Sequence, residues 1–193
     1  MKEKFLKNKK TINYIILIIV GCILCIPLLN SQIDVYSDDG IQHIARAFGT
    51  WTSIKQNGVL PNVINSFTNN FGYSWNLFYG SLSTYVIIFI NLIFNNFIIS
   101  YKLCAFLALV LSGFFMYKFM NAYTENDNVA LLSSILYMTF PYHLTDLYTR
   151  NALGEYASFM FIPLVFYGLY NLFYTSDKQY YLAIRSNWIN TNT

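Results

Sequence analysis

Four predominantly apolar stretches, residues 12–29, 101–120, 129–147 and 156–174, divide the chain, each bounded by polar residues. Each approaches the ~20 residues that a helix needs to cross the hydrocarbon of a bilayer. A fifth stretch, 82–97, is interrupted by Asn91, Asn95 and Asn96. Its uninterrupted apolar part, 85–90, is far too short to span ~30 Å at 1.5 Å per residue. Its asparagines are also costly in hydrocarbon unless paired. A helix lying in the interface, with its apolar face buried and its asparagines wet, answers both objections. The pattern therefore predicts an all-α, polytopic transmembrane helix bundle of about four spans, with an amphipathic-helical first outer loop at 30–100 and juxtamembrane helices. Residues 1–174 read as the N-terminal part of a transmembrane domain, and 175–193 as a polar cytoplasmic tail where a longer gene product is cut short. Counting 82–97 as a fifth span would move residues 145–155 to the opposite side of the membrane.

Composition sharpens this reading. Only 11% of the 193 residues are charged while 55% are hydrophobic, against about 25% charged in a soluble domain. The net charge of +3 is concentrated at the start, where Lys2, Lys4, Lys7, Lys9 and Lys10 precede the first span, opposed by Glu3. That bias keeps the N-terminus in the cytoplasm and leaves no basic surface for nucleic acid. The stretch 12–29 is too long for the apolar core of a cleavable signal and lacks a small-residue cleavage site. Cys22, Cys25 and Cys104 lie inside apolar runs and read as buried thiols. Abundant Asn, Ile, Tyr, Phe and Lys with scarce Ala point to a bacterial cell membrane.

Ionisable residues are rare enough that their clustering is informative. Residues 37–46, SDDGIQHIAR, hold Asp38, Asp39, His43 and Arg46. Read as a helix over 37–54, they place Ser37 at the N-cap and the acids in the first turn. Ile41, Ile44, Phe48 and Trp51 then form an apolar stripe, with Asp39, His43 and Arg46 on another face. Helix capping accounts for the acids and leaves the histidine and arginine unexplained. On this segment alone, capping and a functional site weigh evenly. A second cluster, PYHLTDLYTRNALGE at 141–155, holds His143, Asp146, Arg150 and Glu155. With four spans both clusters face the same side, and ionisable groups at the membrane edge are functional candidates. A carboxylate there suits a general base acting on a hydroxyl; arginine, or protonated histidine, suits a phosphate leaving group. The 17 Tyr and 17 Phe suit a lipid tail or a sugar face. A divalent cation on Asp39 and His43, at i and i+4, would have only two ligands.

The order of these motifs, a basic N-terminus, one span, DDGIQHIAR, NGVLP at 57–61 and PYHLTDLYTRNALGEYASFMFIPLVF at 141–166, resembles the membrane glycosyltransferases of the GT-C class. More narrowly it resembles the bacterial YfhO-like and 6-pyruvoyl-tetrahydropterin-synthase-related membrane proteins. That resemblance implies an integral membrane glycosyltransferase using a polyprenyl-phosphate sugar donor and a cell-envelope acceptor on the outer face. Asp39 would be the catalytic base, with Asp38 second choice. His43, Arg46, His143, Asp146, Arg150 and Glu155 would contact substrate, and a juxtamembrane helix would fall at 81–97. The class is much longer than this chain. A transporter or flippase component for glycolipids, and a non-catalytic membrane protein, are the competing readings. The former places polar sites at mid-membrane on broken helices and shows inverted repeats, whereas these charges sit at loop edges and no repeat is visible.

Overall fold

A computed structural model describes residues 2–29, 37–58 and 60–174, with side chains from Lys9 onward. The tail expected at 175–193 and the start of the outer loop, 30–36, lie outside the described residues. The fold is all-α: α1 (Lys2–Cys25), α2 (Gly40–Asn57), α3 (Trp75–Phe78), α4 (Leu82–Phe94), α5 (Phe97–Thr124), α6 (Asp127–Met138), α7 (Pro141–Thr145), α8 (Leu153–Ser158) and α9 (Phe161–Tyr174). A 3-10 turn, Ile26–Leu29, follows α1, and a π-helical turn, Asp146–Arg150, follows α7.

Among the described residues, three helical stretches are long and apolar enough to cross a membrane: Lys9–Leu29, Phe97–Thr124 and Leu153–Tyr174. The span expected at 129–147, with a kink or an end near Pro141, is indeed interrupted there. It breaks at Phe140, where Pro141 has no N–H to donate and opens a new helix at its first position. The contacts nonetheless trace four passes along the bundle. Asn13 in α1 donates to the Tyr117 hydroxyl in α5 (3.1 Å), and Tyr117 donates to Asp127 at the start of α6 (2.7 Å). Stacked Phe119–Phe166 and edge-on Tyr123–Tyr170 bring the later turns of α9 to the same end. At the other end, the Tyr148 hydroxyl reaches Leu24 O, and Tyr101 in the first turns of α5 bonds Asn151 O at 3.1 Å.

Helix α4 does not add a pass. At 13 residues it is about 20 Å long. The residues before it meet Gly154, and α5 starts three residues after it, its first turns bonding Asn151. Both ends of α4 therefore serve the same end of the bundle. The asparagines that interrupt 82–97 are mostly punctuation. Asn95 takes the left-handed C-cap of α4 (φ 48°), and Asn96 caps α5, its side chain accepting from the N–H groups of Ile98 and Ile99. The expected polarity of α4 is corrected: it buries Ser83, Thr84 and Asn91 and exposes Leu82, Phe89, Leu92 and Ile93. An apolar outer face is what a hydrocarbon solvent selects. Helix α2 is arranged similarly, with His43, Arg46, Thr50 and Ser53 inward and Ile41 and Phe48 outward.

Candidate functional site

The two ionisable clusters meet. Asp38 N donates to Thr149 O at 3.3 Å and Asp39 N to Arg150 O at 3.0 Å. Gly40 permits the approach, since a Cβ there would lie 3.3 Å from Asn151 Cβ. On the other side the chain is turned by the π-helical residues Asp146–Arg150 and by Asn151 in the left-handed region (φ 52°). The last carbonyls of a helical segment have no partner within it, and here those of Thr149 and Arg150 receive the start of α2.

Asp39, not Ser37, is the N-cap residue of α2. Its backbone carbonyl accepts from His43 N (3.1 Å), while its side chain makes no capping bond. Capping thus does not occupy the carboxylate, which is half-buried beside the exposed Asp38.

The second cluster is organised on one guanidinium nitrogen. Arg150 Nη1 lies 3.0 Å from Asp146 Oδ1, 2.8 Å from Glu155 Oε2 and 2.7 Å from the Tyr142 hydroxyl. Tyr142 also donates to Glu155 Oε1. Arg150 and Glu155 are each about a third exposed, but Asp146 is fully buried. The Arg150 contact to Asp146 is an ion pair out of hydrogen-bond alignment, and neither carboxylate oxygen of Asp146 accepts a hydrogen bond. Burial, then the nearby Glu155, push the Asp146 carboxyl up to about 6; Arg150 pulls the other way. Asp146 also borders a cavity of about 10 Å³ with Tyr101, Asn151 and Tyr156.

The other expected residues take different positions. Arg46 is fully buried. It donates to Asn76 Oδ1 (3.0 Å), Tyr79 O (2.8 Å), Gly80 O (3.3 Å) and Ser81 Oγ (3.0 Å), and its guanidinium lies 5.0 Å from the Tyr79 ring centroid. It braces the 76–81 segment against α2. His43 is also buried, with Nε2 unpartnered, beside the Tyr79 ring. Burial lowers its pKa to about 4 despite the opposing pull of Asp39, so it is neutral at pH 7 and offers no cation. His143 sits apart from this cluster among Tyr137, Tyr156 and Phe159, with Nδ1 3.1 Å from Tyr137 O. Among the described residues no three His, Cys, Asp or Glu side chains converge as a metal site.

Sequence reasoning missed Tyr79. Its ring packs on His43 and Arg46, and its hydroxyl occupies the space over Gly154, where a Cβ would come within 2.3 Å. It joins segments far apart in the chain, and nothing in its local sequence signals that. Tyr79 and Glu155 stand at one edge of an apolar groove of about 630 Å³ between α4, α5 and α8, lined further by Leu82, Val86, Leu107 and Phe161. That volume is in the range of ligand pockets.

With this geometry in place, comparison with known proteins decides the family. Residues 77–187, more than half of the chain, match the model of the 6-pyruvoyl-tetrahydropterin synthase related domain, a membrane protein family. The chain belongs to that family. The match covers Tyr79, the groove and the whole second cluster; Asp38 and Asp39 precede it. An uncharacterized protein of Lactococcus lactis subsp. cremoris (strain MG1363) is 27% identical over 175 residues, covering 87% of this chain. The chain spans 28% of that relative's length. No solved structure matches.

Proposed function

We propose that this chain is part of an integral membrane glycosyltransferase that moves a sugar from a polyprenyl-phosphate donor to a cell-envelope acceptor. The observation that carries the reading is the backbone pairing of Asp38 and Asp39 with Thr149 and Arg150. It brings an uncapped, half-buried carboxylate to the edge of the Asp146–Arg150–Glu155 group, beside a groove sized for a lipid chain. With the basic N-terminus held in the cytoplasm, four passes put this end on the outer face.

In this reading Asp39 accepts the proton of an acceptor hydroxyl as its oxygen attacks the anomeric carbon. The bond from that carbon to the phosphate oxygen breaks, and the polyprenyl phosphate leaves with the electron pair. General-base assistance of this kind contributes about 10²–10⁴-fold. Arg150 has five N–H donors and an exposed flank, which suits the leaving phosphate. Arg46 and His43 act indirectly, one bracing the 76–81 segment and the other filling the space behind Tyr79. Asp146 and Glu155 fix Arg150. Asp38, exposed next to the base, is the alternative proton acceptor.

The test is made in cells. The gene is deleted in its native host and the envelope glycans are profiled by mass spectrometry. The full-length gene is then restored either as the wild type or as the Asp39→Asn variant. Loss of one glycosyl substituent on deletion, recovered with the wild type and not with Asp39→Asn, supports the proposal. A glycan profile indifferent to the deletion overturns it.

A further inference from the structure

Two apolar grooves flank α5, and they differ in charge. One, of about 740 Å³ between α1 and α5, has Lys102 as the charged residue among its described lining. In the other, between α4, α5 and α8, that residue is Glu155, and the other polar side chains among its described lining are the hydroxyls of Tyr79, Ser83 and Ser158. Among the described residues that line the groove there is no cation; the cation paired with Glu155, Arg150, is not one of them. Arg150 approaches Glu155 through Nη1, which Asp146 and the Tyr142 hydroxyl share. Arg46 is buried behind Tyr79, with donors on all three of its nitrogens directed at the 76–81 segment. Asp39 adds a second carboxylate within electrostatic reach of Tyr79.

We infer that the Glu155 groove holds the chain of an uncharged, hydroxyl-bearing membrane lipid, a glycolipid, with its headgroup hydroxyls donating to Glu155 and Asp39. This rests on the function proposed above and names the acceptor within it. Carboxylates accept hydrogen bonds and donate none when ionised, so they match sugar hydroxyls and repel a phosphate. The apolar walls, Leu82, Val86, Leu107, Leu111 and Phe161, come from membrane helices, so the ligand enters from the lipid phase. A free sugar would leave them uncovered. The anionic donor is then kept out of this groove, and its phosphate meets Arg150 from the exposed side.

The experiment reads binding without turnover. The chain is reconstituted in nanodiscs of equal parts monoglucosyl diacylglycerol, phosphatidylglycerol and phosphatidylethanolamine, and retained lipids are identified by native mass spectrometry. Leu107→Trp fills the groove from a partly exposed position and marks which retained lipid occupies it. The inference expects Leu107→Trp to remove the glucosyl lipid. It also expects Asp39→Asn and Glu155→Gln each to weaken that lipid's retention about tenfold, the effect of one hydrogen bond to a charged group. Several results overturn it: phosphatidylglycerol or phosphatidylethanolamine as the lipid displaced by Leu107→Trp, retention indifferent to that variant or to both carboxylates, no retained lipid, or displacement by free methyl glucoside. A chain that retains the glucosyl lipid while deletion of the gene leaves the envelope glycans unchanged would overturn the transferase reading alone. Sugar transfer with an anionic lipid in the groove would overturn the glycolipid assignment alone.

Discussion

The two ends of the bundle each hold an aspartate in a polar network, and they treat it in opposite ways. At one end Asp127 sits in the first turn of α6, where a carboxylate favours the helix dipole. Its Oδ1 accepts from the Tyr117 hydroxyl and from Asn121 Nδ2, both at 2.7 Å, and Asn13 completes the chain from α1. At the other end Asp146 is fully buried, ion-paired with Arg150, and accepts no hydrogen bond on either oxygen. The first network ties α1, α5 and α6 together and fixes how they align. The second carries more carboxylates than its one exposed guanidinium balances, next to a groove. A saturated polar network is a fastening; an unsaturated one at a cleft is a site.

Substitutions at the two ends should therefore fail differently. The largest effect falls on Asp39→Asn, which should lower sugar transfer by about 10²–10⁴-fold while leaving the thermal midpoint in detergent unchanged; an equal loss of stability would make Asp39 structural. At the fastening end, Tyr117→Phe removes the donor to Asp127 and the acceptor for Asn13. Leaving buried partners unmade costs about 1–3 kcal/mol, read as a lower thermal midpoint, with transfer per folded molecule retained. A smaller change is expected from Asp146→Asn, and it depends on pH. Because the folded carboxyl titrates near 6, above the 3.8 of the unfolded chain, the native state holds its proton more tightly. Ionising Asp146 is thus a penalty absent below about pH 3.8, growing up to about pH 6 and complete above it. Stability of the wild type should fall as pH rises through that window, and the asparagine variant should lose this slope. A slope of the opposite sign would mean that Arg150 stabilises the ionised form.

Much of this arrangement was legible in the sequence. Apolar run lengths gave the helical membrane class, and the asparagines of 82–97 excluded a crossing helix there. They did so for an incomplete reason, because Asn95 and Asn96 turn out to be caps and Asn91 is buried. The break at Pro141 marked where the fourth pass falters, since a prolyl ring removes a donor wherever it stands. Spacing along α2 put Asp39, His43 and Arg46 on one face, but spacing carries no information about what covers that face. Arg46 is covered by residues 76–81, so a candidate phosphate contact became an internal brace, and burial made His43 neutral. Tyr79 left no trace in the sequence, because its role depends on a contact with Gly154, far along the chain. The π-helical turn was equally hidden, being one extra residue in an otherwise helical run.

Whether residues 37–46 and 141–155 form one site on one face of the membrane can be read by cysteine labelling. With Cys22, Cys25 and Cys104 replaced by Ala, single cysteines are placed at Asp38 and at Thr149, both exposed. Each is then treated in intact cells with a membrane-impermeant thiol reagent, before and after lysis. Asp38→Cys and Thr149→Cys are both expected to label from outside. Labelling of one from outside and of the other only after lysis would put the two clusters on opposite sides and contradict a single site on one face.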